Sequence, residues 1–524
     1  MQKVCQTYCI LLHERWNFSV NNLALWNKIR KFAVQLNKNT MWTKPYSMKE
    51  GFLIGGGLVV AGLMLELCVG PVVWDAFAWP VNVVAMIAFL VLIAAMHVFR
   101  NKVYVFRFMS SCQAAVPALV CVVMLTIVMG LTRQTVNGLW IYNMLSFWPF
   151  VLIYVYMTAI LGLVVIKRLS VMRSRRNLHD LPFLLFHIGL FVALTSATLG
   201  NADMQRLKMI TVVGEPEWRA MGQGGAVQEL PLAIELKRFI METYDSGSPK
   251  RFASEVQILT QSGKNIHATI DVNKPFEVDG WTIYQYGYDT RLGADSRTSI
   301  LELISDPWLP VVYVGIYMML GGALCLFLLA VPFVRLSEAA VHYPKRALVV
   351  IAVFAIVFFC IHHFMPILHS KTLVPALQSP WFVPHIIAYM IAYTLMGVAM
   401  LAALWLMVRQ RNSNTSAATV SPISLNTLDT LIYIGIAFIT IGMLFGALWA
   451  KEAWGHYWSW DPKETWAAIT WFSYLVFIHY RRLPQHNRCV ALWMIIVCFA
   501  LLQMCWWGIN FLPSAQASSV HVYS

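Results

Sequence analysis

Apolar residues run in stretches too long for the helices of an ordinary globular core. They occupy about 51–70, 80–99, 111–131, 141–166, 181–199, 308–334, 347–364, 382–408, 431–450, 462–480 and 489–509, each close to the roughly 20 residues a helix needs to cross a bilayer. Eleven transmembrane spans are expected. Between the fifth and sixth the pattern changes for about 105 residues. Apolar and polar positions alternate there with the period of a strand, at Val256, Ile258 and Thr260, at Ile266, Ala268, Ile270 and Val272, and at Thr282, Tyr284, Tyr286 and Tyr288. A turn at Ser262 and Gly263 separates the first two runs. The pattern predicts an all-α polytopic membrane protein of about 11 transmembrane helices with a β-rich extracytoplasmic domain at 200–305. A cytoplasmic segment at 1–50 precedes five spans over 51–199, and a sixth at 306–334 leads into a second membrane domain at 335–524. The β-rich domain is expected to brace the spans or dock partners.

Composition and charge sharpen this picture. Hydrophobic residues make up 59% of the chain and charged residues 12%, far from the balance of soluble domains. The net charge of +14 would suit nucleic acid, but the basic residues lie in short clusters between apolar runs, so no nucleic-acid partner is expected. The clusters are Arg100, Lys102 and Arg107; Lys167, Arg168, Arg173, Arg175 and Arg176; Arg335, Lys345 and Arg346; Arg409 and Arg411; and Arg481, Arg482 and Arg488. The positive-inside rule puts these loops and the N-terminus in the cytoplasm, which places the 200–305 domain and the C-terminal tail outside. Residues 1–50 carry no apolar signal-peptide core, and Met41 and Met48 are candidate alternative starts. Ten cysteines include no C-x-x-C and no C-x-x-C-H, which excludes a thioredoxin-like reductant and a c-type cytochrome.

The densest chemical pattern is the outer loop 451–466, with the run Trp454-Gly455-His456-Tyr457-Trp458-Ser459-Trp460-Asp461-Pro462-Lys463-Glu464-Thr465-Trp466. Its second half reads as a helix start: Asp461 as N-cap, Pro462 at the first helical position and Glu464 at capping-box spacing. Its first half holds more aromatic residues than an interfacial belt requires, and suits a shaped platform for a flat apolar ligand such as a porphyrin.

This run resembles the tryptophan-rich WWD signature of the haem-handling proteins of cytochrome c maturation. Its continuation through Thr470, Trp471, Tyr474 and His479 is similar to the CcsA (ResC) branch, and Leu181 to about residue 310, with the run Phe186 to Leu190, is similar to CcsB (ResB). Together they resemble a fused CcsB and CcsA, the system II cytochrome c synthase. The resemblance implies export of haem b, with reduced iron, across the cytoplasmic membrane. It also implies covalent attachment to apocytochromes c with C-x-x-C-H, making the chain a holocytochrome c synthase. A separate thiol-reducing, thioredoxin-like partner and membrane lipid complete the expected partners.

Histidines supply the candidate iron ligands. His187 and His479 both fall in the inner half of the membrane on different spans, and ionisable residues within spans are functional hypotheses. The family's intramembrane pair maps onto them, with His97 at similar depth as the competitor. His385 stands at the outer start of the eighth span, whose 27 residues reach about 40 Å and project beyond the hydrocarbon. The resemblance puts the second external histidine at His521 in the tail, although the family more often has His followed directly by Ser-Tyr. His456, His362 and His363 are alternatives. Trp454, Trp458, Trp460 and Asp461 are then the expected reaction platform, and His187, His479, His385 and His521 the axial ligands. A haem-delivery protein without ligation activity and a bis-histidine b-type electron carrier are the rival readings.

Overall fold

A computed structural model of the chain describes residues 42–135, 138–175, 180–222, 224–333, 373–412 and 425–516. Ten long helices occur among these residues: α1 (Met48–Val69), α2 (Val81–Phe99), α3 (Cys112–Leu131), α4 (Trp148–Arg175), α5 (Leu181–Gly200), α6 (Leu309–Phe333), α7 (Phe382–Asn412), α8 (Leu425–Trp454), α9 (Pro462–Arg481) and α10 (Arg488–Trp506). Eight of the described helices are long and apolar enough to cross a membrane. Two do not meet that measure along their described length. The apolar stretch described for α6, Leu309–Cys325, is shorter than that measure requires, and α9 carries Thr, Ser, Tyr, His and Trp among its aliphatic residues. Ten of the expected spans thus coincide with helices, while the one at 347–364, with His362 and His363, lies outside the described residues. The fourth begins later than expected, because a 3-10 turn at Trp140–Ser146 precedes α4.

Large apolar side chains face outward on several helices, including Val60, Met64 and Leu67 on α1, Ile87 and Val91 on α2, and Trp493 and Val497 on α10. Such an apolar exterior is stable only against lipid, so the chain is a multi-pass membrane protein. Inside the bundle, small residues let backbones approach. A Cβ at Gly189 of α5 would meet Gly315 O of α6 at 2.7 Å, and one at Gly322 would meet Phe186 N at 2.6 Å. α5 and α6 therefore pack backbone to backbone. The main buried cluster runs from α3 and α4 through α6 into α7–α10, so both halves of the chain share one core.

The segment between α5 and α6 forms one eight-stranded antiparallel sheet, with strand order β5-β4-β3-β2-β1-β8-β7-β6. The strands are β1 (Gln205–Val212), β2 (Pro216–Gly222), β3 (Val227–Thr243), β4 (Pro249–Thr260), β5 (Asn265–Asp271), β6 (Phe276–Val278), β7 (Trp281–Tyr288) and β8 (Thr298–Ser305). Residues read as alternating fall on β4, β5 and β7 except Val272, which lies in the turn after β5, and Gly263, with φ 82°, makes the expected turn. The edge strand β5 also approaches β6 and β7, so the sheet curls over an interior of Met209, Ile234, Leu236, Ile258, Ile283 and Leu303. β1 pairs with β8, which brings the two chain ends of the sheet together above α5 and α6.

Candidate functional site

The Trp-rich loop joins α8 to α9. Its second half is fixed locally, as the capping residues require. The Asp461 carboxylate accepts from Lys463 N at 2.9 Å, and the Glu464 carboxylate accepts from Asp461 N at 3.2 Å and Ser459 N at 2.8 Å. Thr465 Oγ1 donates to Trp460 O at 3.0 Å, which pins a residue in the left-handed region with φ 58°. The ring of Trp460 meets Trp458 edge-on at 5.8 Å and Phe150 of α4 at 6.3 Å. Burial pushes the Tyr457 hydroxyl above its ordinary range, helped by the charges of Asp306 and Tyr154. Trp454 ends α8 with its ring 5.2 Å from Trp449.

His385 is linked to this loop through that ring, because its imidazole lies 5.7 Å from Trp449 and 4.8 Å from Tyr389. Its Nδ1 is 2.8 Å from Gly442 O. That bond makes Nδ1 the protonated nitrogen and leaves Nε2 as the basic one. The approach depends on glycine: a Cβ at Gly446 would meet His385 Cε1 at 2.9 Å, and one at Gly442 would meet the Tyr389 ring at 3.0 Å. Gly442, Gly446, Trp449 and Tyr389 were not singled out in the sequence. The four-residue glycine spacing on one helix face was the legible signal for close packing. Trp381, just before α7, donates through Nε1 to Glu452 Oε1 at 2.7 Å. The segment before it is tied to the sheet, since Asn273 Nδ2 donates to Pro375 O at 2.7 Å and Gln378 Nε2 to Lys250 O at 2.8 Å.

At the other end of α9, His479 sits two residues before the helix ends. Its Nδ1 is 2.8 Å from Leu475 O, and His187 Nδ1 on α5 is 2.8 Å from Phe183 O. Each imidazole is thus locked to the carbonyl four residues back. Neither Nε2 has a hydrogen-bond partner among the described residues. The charge of Arg482 acts on both rings, and His479 acts electrostatically on His187. Both are half-buried, and Phe183 stacks on His187 at 3.8 Å. His97 is different: Arg100 and Ser170 bond to its ring nitrogens. His456 lies half-buried in the loop, and His521 falls outside the described residues. The structure therefore places His187 within electrostatic reach of His479, and links His385 to the Trp-rich loop through Trp449.

Two family models match the chain. ResB-like family covers residues 167–300, from the end of α4 through most of the sheet, and Cytochrome C assembly protein covers 313–515, from α6 to beyond α10. Relatives share the second region. Cytochrome c biogenesis protein CcsA of Chlamydomonas reinhardtii is 39% identical over 146 residues, covering 27% of this chain and 41% of its own length. The CcsA proteins of Oryza sativa and Guillardia theta are 33% and 38% identical, covering 28% and 27% of this chain and 58% and 55% of their own lengths. The chain spans about half the length of these curated relatives. A ResB-like and a cytochrome c assembly segment stand in one chain, the arrangement of a fused CcsB and CcsA.

Proposed function

We propose that this chain, in which a ResB-like segment precedes a cytochrome c assembly segment, exports haem across the cytoplasmic membrane and joins it to apocytochromes c bearing C-x-x-C-H. One observation carries the reading: α9 bears the Trp-rich loop at its start and His479 near its end. Those ends stand about 27 Å apart at 1.5 Å per residue, so one helix connects an imidazole pair on one side of the membrane with an aromatic platform on the other. The basic loops and N-terminus lie in the cytoplasm in this reading, with the sheet and the Trp-rich loop outside.

Haem is the cargo. At the inner site His187 and His479 offer their Nε2 atoms to the two axial positions, and Arg482 supplies positive charge for the propionates. At the outer site His385 and His521 take the iron. Trp454, Trp458 and Trp460 hold the porphyrin, and Asp461 fixes the loop from which they project. The thiol S–H of the apocytochrome adds across the vinyl C=C: sulfur bonds to the ring-side carbon, and the proton ends on the terminal carbon. No electrons are gained or lost in that addition. The chain's part is positioning of vinyl and thiol, while a separate thioredoxin-like partner keeps the thiols reduced.

The test is anaerobic incubation of the haem-loaded, reduced chain with a reduced C-x-x-C-H apocytochrome, followed by a denaturing gel and haem stain. Haem on the apocytochrome band is the expected result. Haem that stays with the 524-residue chain would fit an electron carrier and overturn the proposal. Haem that reaches the apocytochrome but washes off under denaturing conditions would reduce it to delivery without ligation.

A further inference from the structure

The first half of the Trp-rich loop leaves α8 at Gly455, whose N donates to Lys451 O at 3.1 Å, and it rests on the sheet. Gly455, with φ 75°, lies so close that a Cβ would meet Ile304 Cδ1 of β8 at 2.3 Å and Tyr284 Cε2 of β7 at 3.1 Å. Beside it, Lys451 is only 5% exposed. Its Nζ donates to Gly455 O at 3.0 Å and stands 5.8 Å from the centre of the Tyr284 ring. No carboxylate lies within 4.0 Å of that ammonium among the described residues. Burying an ammonium without compensation is costly. Asp306, after β8, with Glu277 of β6 and Glu302 of β8, offsets part of that cost, and the charge of Arg206 on β1 adds to it.

We infer that Lys451 is a positioning residue of the outer site: it fixes the first turn of the Trp-rich loop, and the acidic end of the sheet supplies the counter-charge that keeps it there. The sheet is then a working part of the outer site as well as a cover. Two observations support this beyond the hydrogen bond. Arg206 Nε lies 3.7 Å from Glu302 Oε1, so the cluster is a network reaching into β1. Burial pushes the carboxyls of Glu302 and Asp306 above their ordinary range, and Lys451 is among the charges that offset this. The carboxylates and the ammonium therefore depend on one another across the junction between the ResB-like and cytochrome c assembly halves. The loop consequently has two anchors of different kinds, the capping box at Asp461 and the buried cation at Lys451.

The inference deepens the proposed ligation reading and rests on it for its functional part, but the geometric part is tested separately. The full chain is compared with Lys451→Met, Lys451→Arg and the double variant Glu302→Gln, Asp306→Asn. Hydrogen exchange at residues 455–458 and in β3 and β4 is followed by mass spectrometry, together with haem bound per chain and haem ligated per haem bound. Lys451→Met is expected to speed exchange at 455–458 about tenfold and to cut ligation per bound haem about tenfold. Exchange in β3 and β4 and total bound haem should stay within about twofold. Lys451→Arg, which keeps a charge and a donor, should recover most of both losses, and the double carboxamide variant should reproduce the Met variant in milder form. Unchanged exchange at 455–458 in both Lys451→Met and the double variant would overturn the inference, and so would a parallel loss of sheet protection and inner haem in both. If the unaltered chain ligates no haem, the functional reading fails, and the exchange data alone still decide whether Lys451 holds the loop.

Discussion

His187 and His479 are held by their own helices, each imidazole bonded to the carbonyl four residues earlier. Beyond its local cap, the Trp-rich loop leans on other parts of the chain: Ile304 and Tyr284 of the sheet, Phe150 of α4, and the Trp449 ring that links it to His385. The first arrangement is set by helical periodicity, because a side chain on a helix reaches its own preceding turn whatever else the protein does. The second exists only once long-range contacts have formed. In the proposed function, the inner site takes its ring orientations from its own helices, whereas the outer site takes part of its shape from contacts with the sheet.

The sharpest way to break this comparison is to remove one ligand from each site. His385→Ala is expected to lower ligation by about a hundredfold, on the scale on which loss of a ligand to a metal acts. Bound haem should fall by less than about half, because the inner pair keeps its share; haem content and haem-stained product measure the two. His187→Ala or His479→Ala should lower co-purified haem about tenfold and leave the chain folded, and added imidazole should restore part of it by filling the empty coordination position. His97→Ala should change little, since Arg100 and Ser170 already engage that ring. If His97→Ala empties the chain and His187→Ala does not, the inner assignment is wrong.

The same contrast governs what could be read from the sequence. Spans and the α9 cap at Asp461 follow from local composition and spacing, so they were legible. β4, β5 and β7 were legible too, because their alternation is regular. β1 and β8 were not, since their partners lie at opposite ends of the segment, with Gln205 opposite Ser305. Register shifts inside β3, between Leu236 and Arg238 and again near Thr243, also interrupt its pairing. Lys451 and Trp449 escaped notice for a related reason. Each is an ordinary residue near a helix end until the sheet and α7 are folded against it.

A milder change tests whether ring geometry matters beyond simple attraction for haem. Trp458→Phe keeps an aromatic face but shortens the ring that meets Trp460 edge-on at 5.8 Å. An aromatic pair of this kind contributes about 0.5–1.5 kcal/mol, which corresponds to a roughly two- to thirteenfold change in rate. Ligation per bound haem should fall by that factor while total bound haem holds. Equal losses in both would mean that the loop merely binds haem and does not orient it.

The smallest expected effect probes the frame under the outer site. Asp203, just after α5, accepts from Trp79 N, Asn82 Nδ2 and Trp308 Nε1, each at 2.7 Å. It thereby ties the sheet-side ends of α2, α5 and α6 together. Burial alone would raise its carboxyl, but the bonds from Asn82, Trp308 and Trp79 outweigh that and hold it below the ordinary value of 3.8. A depressed carboxyl of this kind adds stability that is fully present above the ordinary value and is lost as pH falls through the lower, folded one. Thermal unfolding of the purified chain should therefore lose an increment as the pH falls below about 4 that Asp203→Asn lacks; the variant should instead carry a pH-independent cost of about 1 kcal/mol. Because the inner pair needs no such frame, Asp203→Asn should lower ligation slightly and leave inner haem untouched. A variant that loses inner haem first would show that the outer frame supports both sites, and the contrast between a helix-made and a contact-made site would fall with it.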